Sequence, residues 1–282
     1  MYDFKGKVAL VTGAARMRGI GHATAIGFAR GGANVVVNGR YRPPESFPEE
    51  EKAIGWKGLE SIVAEVESYG VRGFGITADI TERKQVGVMV DKVLAKFGRI
   101  DYLVANAGIL KQTPFLEVTD AEWHQIIATN LHGVFYCCQT VLQHMVARGG
   151  GGAIVNVSSR AGKMGEKNTS AYCASKFGVN GLTQVLGIEF GPYNIRVNSV
   201  CPGRVSTNMM RADKVWHLSH EKGLDIKEAA MQVHDDAVAL TPLRRPAFAD
   251  EIASAILFLC SDEANFITGQ CINVDGGRLT AH

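Results

Sequence analysis

Ser159, Tyr172 and Lys176 bring a hydroxyl, a phenol and an ammonium close together in this chain. Tyr172 and Lys176 are four apart in a segment, residues 170 to 190, whose apolar positions recur at helical spacing, so both side chains should project from one helix face. A free tyrosine titrates near ~10, and a neighbouring cation stabilises its phenolate. The pairing is therefore expected to pull the phenol towards use as a proton donor or acceptor near neutral pH. Ser159 stands thirteen positions before the tyrosine, just past the hydrophobic run Ala153 to Val157, which reads as a buried strand. A hydroxyl placed there can stabilise a developing oxyanion.

Such groups meet only if elements of a larger fold bring them together. Lys7 to Thr12 reads as a buried strand and Ile20 to Arg30 continues at helical period. The glycine-rich stretch from Thr12 through Gly13 and Arg18 to Gly19, Ile20 and Gly21 thus falls in a strand-to-helix turn. Gly13 allows the tight turn, while Gly19 and Gly21 let backbone approach a pyrophosphate at the helix N-terminus. The second strand, Ala33 to Val37, ends at Asn38-Gly39-Arg40, and no acid occurs before Glu45. A site for NAD places an acid near this point to hold the ribose, whereas an arginine accommodates the 2′-phosphate of NADP. Arg40 therefore predicts NADP(H), and Arg18 could fork onto the same phosphate.

From Leu59 onward the pattern is helix, strand, helix, strand, closing at Ala105. This alternation predicts an α/β fold: a single doubly wound parallel sheet of Rossmann type with helices on both faces. Glu122 to Ala147 reads as one long helix, with Asn130 a poor residue for its interior. Residues 41–58 carry three prolines in their first half and read as a surface insertion near the adenosine end, able to offer Arg42 or Lys57 to the phosphate or to remain a passive loop. Residues 208–247, rich in methionine and bearing Trp216, read as a substrate lid.

Composition bounds the rest. The 282 residues, 46% hydrophobic, suit one domain over 1–282 with a substantial core. A formal net charge of +2 with no basic block gives no footprint for nucleic acid, and apolar runs are too short to cross a bilayer. With no apolar signal core at the start, a cytoplasmic protein is expected. The six cysteines lack metal or disulfide spacing and read as buried free thiols; the histidines form no metal-spaced cluster, His217 and His220 lacking a third ligand. No metal is expected.

Taken in order, Thr12-Gly13 to Gly21, Asn106-Ala107-Gly108, Asn130, Ser159, Tyr172, Lys176 and Pro202-Gly203 resemble the motif set of the short-chain dehydrogenase/reductase family, over about residues 7 to 277. The resemblance implies a reversible hydride transfer between NADP(H) and a carbonyl or secondary alcohol. Tyr172 would be the acid/base, Ser159 the partner of the substrate oxygen, Lys176 the group that lowers the tyrosine pKa and bonds the nicotinamide ribose. Asn130 would interrupt its helix and hold a water that relays protons to Lys176. It further implies that Asp79 and Ile80 meet the adenosine, that Asn106, Ala107 and Gly108 line the cofactor, and that Val205 and Thr207, after Pro202 and Gly203, hold the carboxamide. Asp79 could equally cap the helix after Thr81. Two departures stand out: the glycine loop is two residues longer than usual, and Ala105 replaces a common asparagine. Relatives that form tetramers suggest a homo-oligomer, a tetramer or dimer.

Within that family the Met- and Trp-bearing lid favours a bulky apolar or polycyclic ketone. The alternative is a 3-oxoacyl-[acyl-carrier-protein] reductase, whose acidic carrier would suit Arg204, Arg211 and Lys214. A nucleotide-sensing regulator that kept the fold and lost the reaction is the non-enzyme alternative, against which the intact four residues argue.

Overall fold

In this computed structural model, residues 2–206 and 238–279 are described, together with Lys222, Gly223, Asp225, Glu228 and Asp235. The lid residues Met209, Met210, Arg211, Lys214, Trp216, Met231 and Val233 lie outside them, as does Thr207.

Short runs of β-branched residues make the strands: β1 (Val8–Val11), β2 (Asn34–Gly39), β3 (Gly73–Thr77), β4 (Tyr102–Ala105), β5 (Gly152–Val157), β6 (Ile195–Pro202) and β7 (Cys271–Val274). Burial on both faces explains their continuous hydrophobicity. They form one seven-stranded sheet in the order β3-β2-β1-β4-β5-β6-β7, and every pairing is parallel. Along β1 alternate residues serve opposite faces. Ala9 and Val11 join a core with Phe28 of α1 (Ile20–Arg30), Ile62 of α3 (Leu59–Glu67) and Ile256 of α8 (Ala249–Cys260). Val8 and Leu10 join the other with Val90 of α4 (Arg83–Phe97), Val141 of α6 (Gly133–Arg148) and Val179 of α7 (Ser170–Phe190). Each such side chain, fully buried, stabilises the fold by about 1.5 to 3 kcal/mol.

The helix expected over 122–147 is two helices, α5 (Asp120–Ile127) and α6, joined by a π turn at Ala128–His132. Asn130, fully buried, sits in that turn. Its amide Nδ2 donates to Ile109 O (2.9 Å) and Ser175 Oγ (3.2 Å), and its Oδ1 accepts from Ile109 N (2.8 Å). A widened turn at such a residue is a frequent mark of a functional position.

The stretch 41–58 differs from a solvated loop. After a 3-10 turn at Pro44–Ser46 comes α2 (Glu49–Ala53), and both Phe47 and Glu51 are buried. Glu51 Oε1 accepts from Met17 N (3.4 Å) and Oε2 lies 3.6 Å from Arg42 Nη1, while the Trp56 indole donates to Ala15 O (3.4 Å). The lengthened glycine loop and the insertion therefore pack as one unit. A buried carboxylate facing Arg42 cannot be removed without leaving a cation poorly compensated. Glu51→Ala is expected to lower stability by about 2 to 3 kcal/mol in urea unfolding, with Glu51→Gln, which keeps the Met17 bond, losing less. A loss of no more than about 0.5 kcal/mol, typical of plain surface positions, would return 41–58 to a passive loop.

Candidate active site

The sheet order reverses between β1 and β4, and ligands of open α/β sheets bind outside the carboxyl ends of the strands at such a switch. A cavity of about 530 Å³ lies there, lined from Gly13, Arg18, Gly19 and Ile20 at one end to Ser159, Tyr172 and Lys176 at the other. Gly13, at φ +65°, has no room for a side chain: a Cβ would stand 2.5 Å from Ala107 Cα. Asn106 Nδ2 donates to Thr12 O (2.9 Å) and Gly13 O (3.0 Å), and Thr12 Oγ1 accepts from Asn106 N (3.1 Å), lashing the turn after β4 to that after β1. Gly21 does not line the cavity. Its missing Cβ would meet Asn106 Nδ2 at 2.6 Å, so this glycine serves packing behind the loop. Gly19 caps α1, whose first amides face the cavity end, where an anion is favoured. A side-chain-free cradle at a helix N-terminus, continuous with the Tyr172 pocket, fits a dinucleotide.

Arg40 and Tyr41 follow β2 and line the cavity with Asp79, Ile80, Arg16 and Arg42. Asp79 does not cap α4, whose N-cap residue is Glu82; it closes a local turn instead. Its Oδ1 accepts from Thr81 N (2.9 Å) and Thr81 Oγ1 (2.8 Å), and its Oδ2 lies 3.8 Å from Arg40 Nη1. Burial, then the neighbouring Arg42, weakens proton binding by Arg16.

Tyr172 and Lys176 emerge one turn apart from α7, and Ser159 begins a 3-10 turn after β5. The Ser159 hydroxyl lies beside the Tyr172 phenol and favours its charged form. Ser159 Oγ also accepts from Ala161 N (3.1 Å). Lys176 is buried and donates from Nζ to Val157 O (2.8 Å), while Nζ sits 5.7 Å from the centre of the Tyr172 ring. The expected lowering of the tyrosine pKa is not found. Burial pushes Tyr172 up to about 12, against the Ser159 hydroxyl, and burial brings Lys176 down to about 8. Desolvation is the largest influence on the phenol and outweighs the neighbours that favour its charged form.

Val205 lies buried in the same wall, paired in a lone bridge with Ala247, and Pro202 and Gly203 line the cavity beside it. At Gly203 a Cβ would come within 2.7 Å of Asp275 Cα.

A profile for the family described as enoyl-(acyl carrier protein) reductase matches residues 13–278. A short-chain dehydrogenase/reductase of Armillaria gallica is 37% identical over 273 residues, 97% of this chain and 96% of that protein. This chain belongs to the short-chain dehydrogenase/reductase family.

Like other short-chain dehydrogenases/reductases, it is an oxidoreductase of CH–OH and C=O groups that works with a nicotinamide cofactor. A 3-oxoacyl-[acyl-carrier-protein] reductase of Thermotoga maritima is 36% identical, over 98% of each chain. The crystal structure of carveol dehydrogenase from Mycobacterium avium in complex with NAD gives a TM-score of 0.88 at 31% identity, covering 100% of each chain. Several cavity residues of this short-chain dehydrogenase/reductase had no sequence signal. Gln112, Arg160, Thr169, Leu240 and Arg278 come from turns and a tail whose course no periodicity fixes. Arg16 had one, in the two extra residues of the glycine loop.

Among the described residues no helix is long and apolar enough to cross a membrane and no group of histidine, cysteine or acidic side chains could hold a metal ion. Cys137, Cys138, Cys201 and Cys260 are buried free thiols, whereas Cys173 and Cys271 are half-buried.

Proposed function

We propose that the enzyme interconverts a ketone and a secondary alcohol with NADP(H), acting on a bulky apolar substrate, with Tyr172 as the general acid/base. The observation that carries this reading is that Ser159, Tyr172 and Lys176 line one end of a single cavity, with Lys176 Nζ 5.7 Å from the centre of the Tyr172 ring, and that this cavity reaches the glycine cradle. Bound there, the nicotinamide supplies or accepts the hydride. Because Ser159 Oγ already accepts the Ala161 amide, its own proton is free to point at the substrate oxygen. Tyr172 delivers the proton that the developing alkoxide needs, and the two hydroxyls together stabilise its charge. Lys176 has three donors and gives one to Val157, leaving two for the cofactor ribose and a water chain. The Asn130 amide is engaged at both ends, so a relay through this residue uses its main-chain carbonyl.

NADP(H) rather than NAD(H) follows from Arg40 after β2, with Arg18, Arg16 and Arg42 around the same end of the cavity. The side chain of Arg40 is 56% exposed and its bond to Asp79 is long, so it is available to a phosphate. Fluorescence titration should show NADPH binding at least about tenfold tighter than NADH, the worth of one charge-assisted hydrogen bond, and Arg40→Ala should remove most of the difference. Equal affinities in the wild type would sink the NADP(H) assignment.

Leu110 and Leu240 give the described part of the substrate wall an apolar face. The likeness to the Thermotoga maritima enzyme supports the second reading, a 3-oxoacyl-[acyl-carrier-protein] reductase. Turnover of an acyl thioester without turnover of polycyclic ketones would put that reading first. Exposed Phe135, Phe177, Val185 and Ile188 on α6 and α7 support a homo-oligomer built on those helices.

A further inference from the structure

We infer that the substrate carries a carboxylate on an arm extending from the reacting ketone, and that Arg278 receives it; the inference rests on the ketone–alcohol reading. Arg278 follows β7 in a tail that is tied down on both sides. The buried Asp275 accepts from Gly277 N (3.0 Å) and Leu279 N (2.8 Å), and Asn273 Nδ2 donates to Leu279 O (3.0 Å). Gly276 and Gly277, at φ +67° and +85°, make the turn that leads into it.

The residue so fixed lines the cavity. Among the described residues none forms a hydrogen bond or ion pair with its side chain, although a guanidinium has five donors. Its electrostatic neighbours are Arg160, Glu166 and Asp275, none of them from the glycine loop. Asp275, three residues before Arg278, packs against Gly203, and Arg160 belongs to the turn that Ser159 begins; Gly203, Arg160 and Arg278 all line the cavity, which puts Arg278 at its Ser159 end. Glu166 is bound to Arg160 at 3.0 Å, so its charge is already shared. Burial and then Arg160 weaken proton binding by Arg278, which leaves a partly desolvated cation in a cavity whose lining also includes the apolar Leu110 and Leu240. A planar carboxylate accepts two parallel bonds from such a fork and offsets the desolvation.

The test compares substrates that differ only in that charge: benzoylpropionate and benzoylbutyrate, each against its methyl ester, with NADPH. For the chain length that fits, the wild type should favour the acid over the ester in kcat/KM by about tenfold or more, one charge-assisted hydrogen bond's worth. Arg278→Gln should bring that ratio close to one, and Arg278→Lys should keep part of it. No preference for the acids, or a preference that survives Arg278→Gln, overturns the inference. If none of these ketones is turned over, the ketone–alcohol reading is what has failed. Calorimetric binding of the same acids to the NADPH-loaded protein then decides Arg278: a tenfold loss in Arg278→Gln supports it and equal binding overturns it.

Discussion

Replacing Tyr172 by phenylalanine is expected to lower kcat/KM for ketone reduction by about a thousandfold, within the range assigned to a positioned general acid. The ring stays, and with it the packing of α7; only the hydroxyl that meets Ser159 goes. Steady-state kinetics beside an NADPH titration separates the two contributions. A loss confined to kcat, with NADPH affinity within about threefold of wild type, marks an interaction made in the transition state. If turnover survives the change, another group donates the proton. The raised tyrosine pKa adds a directional consequence. At about 12 the phenol is protonated throughout the neutral range, ready to act as an acid, whereas alcohol oxidation needs the phenolate. Oxidation should therefore climb with pH well above neutrality, and reduction should not.

Lys176→Met is expected to cost about a hundredfold or more in kcat/KM and to remove a pH limb. Burial holds Lys176 down to about 8, so it is the group whose charge is lost near that pH. Reduction by the wild type should fall as pH rises through about 8, and the variant should lack this limb. Stability carries the same signature with its sign fixed by linkage. The folded lysine binds its proton less tightly than the unfolded one, whose value is 10.5. Between 8 and 10.5 the unfolded chain holds more protons, so this residue's contribution to stability rises with pH across that window. Below about 8 the burial cost is present in full. Lys176→Met should thus be more stable than wild type at pH 7, by an amount that shrinks as pH approaches 10.5. Comparing the two proteins at each pH cancels the buried cysteines, which titrate alike in both. Thermal melts at a series of pH values check this; a difference constant with pH would show that Lys176 is not buried as a cation.

The strands and their order of appearance were legible because a doubly wound sheet writes itself in period: apolar runs of four to eight residues alternating with helical spacing. The placement of Gly13 and Ser159 was legible because each comes just past a strand, and that of Tyr172 and Lys176 because helical spacing sets them one turn apart. The tyrosine's pKa was not, because it is set chiefly by desolvation, which is not a property of spacing. The packing at Gly21 was not legible for a related reason. Its sequence position suggests approach to a ligand, but the neighbour that crowds it, Asn106, comes from far along the chain. The prolines in 41–58 correctly forbade a helix at the start of that stretch, yet they hid Glu51. A single buried acid in a polar segment leaves no periodic trace, and its partners, the Met17 amide and Arg42, are set by the fold.

The joining of β1 to β4 has a consequence for the life of the protein in a cell. Val8 and Asp101, bonded across that junction, are 93 residues apart in the chain, so a nascent polypeptide finishes one wing of the sheet long before its neighbour emerges. Until then β1 presents an unpaired edge, and the crevice does not exist in either wing alone. A cofactor bound in this crevice, as proposed, can enter only after the wings have met, and it then stabilises their union by an amount that grows with the logarithm of one plus its free concentration over Kd. Depleting the cofactor pool should thus lower the steady-state amount of this enzyme as well as its rate, through faster clearance of chains whose wings have parted.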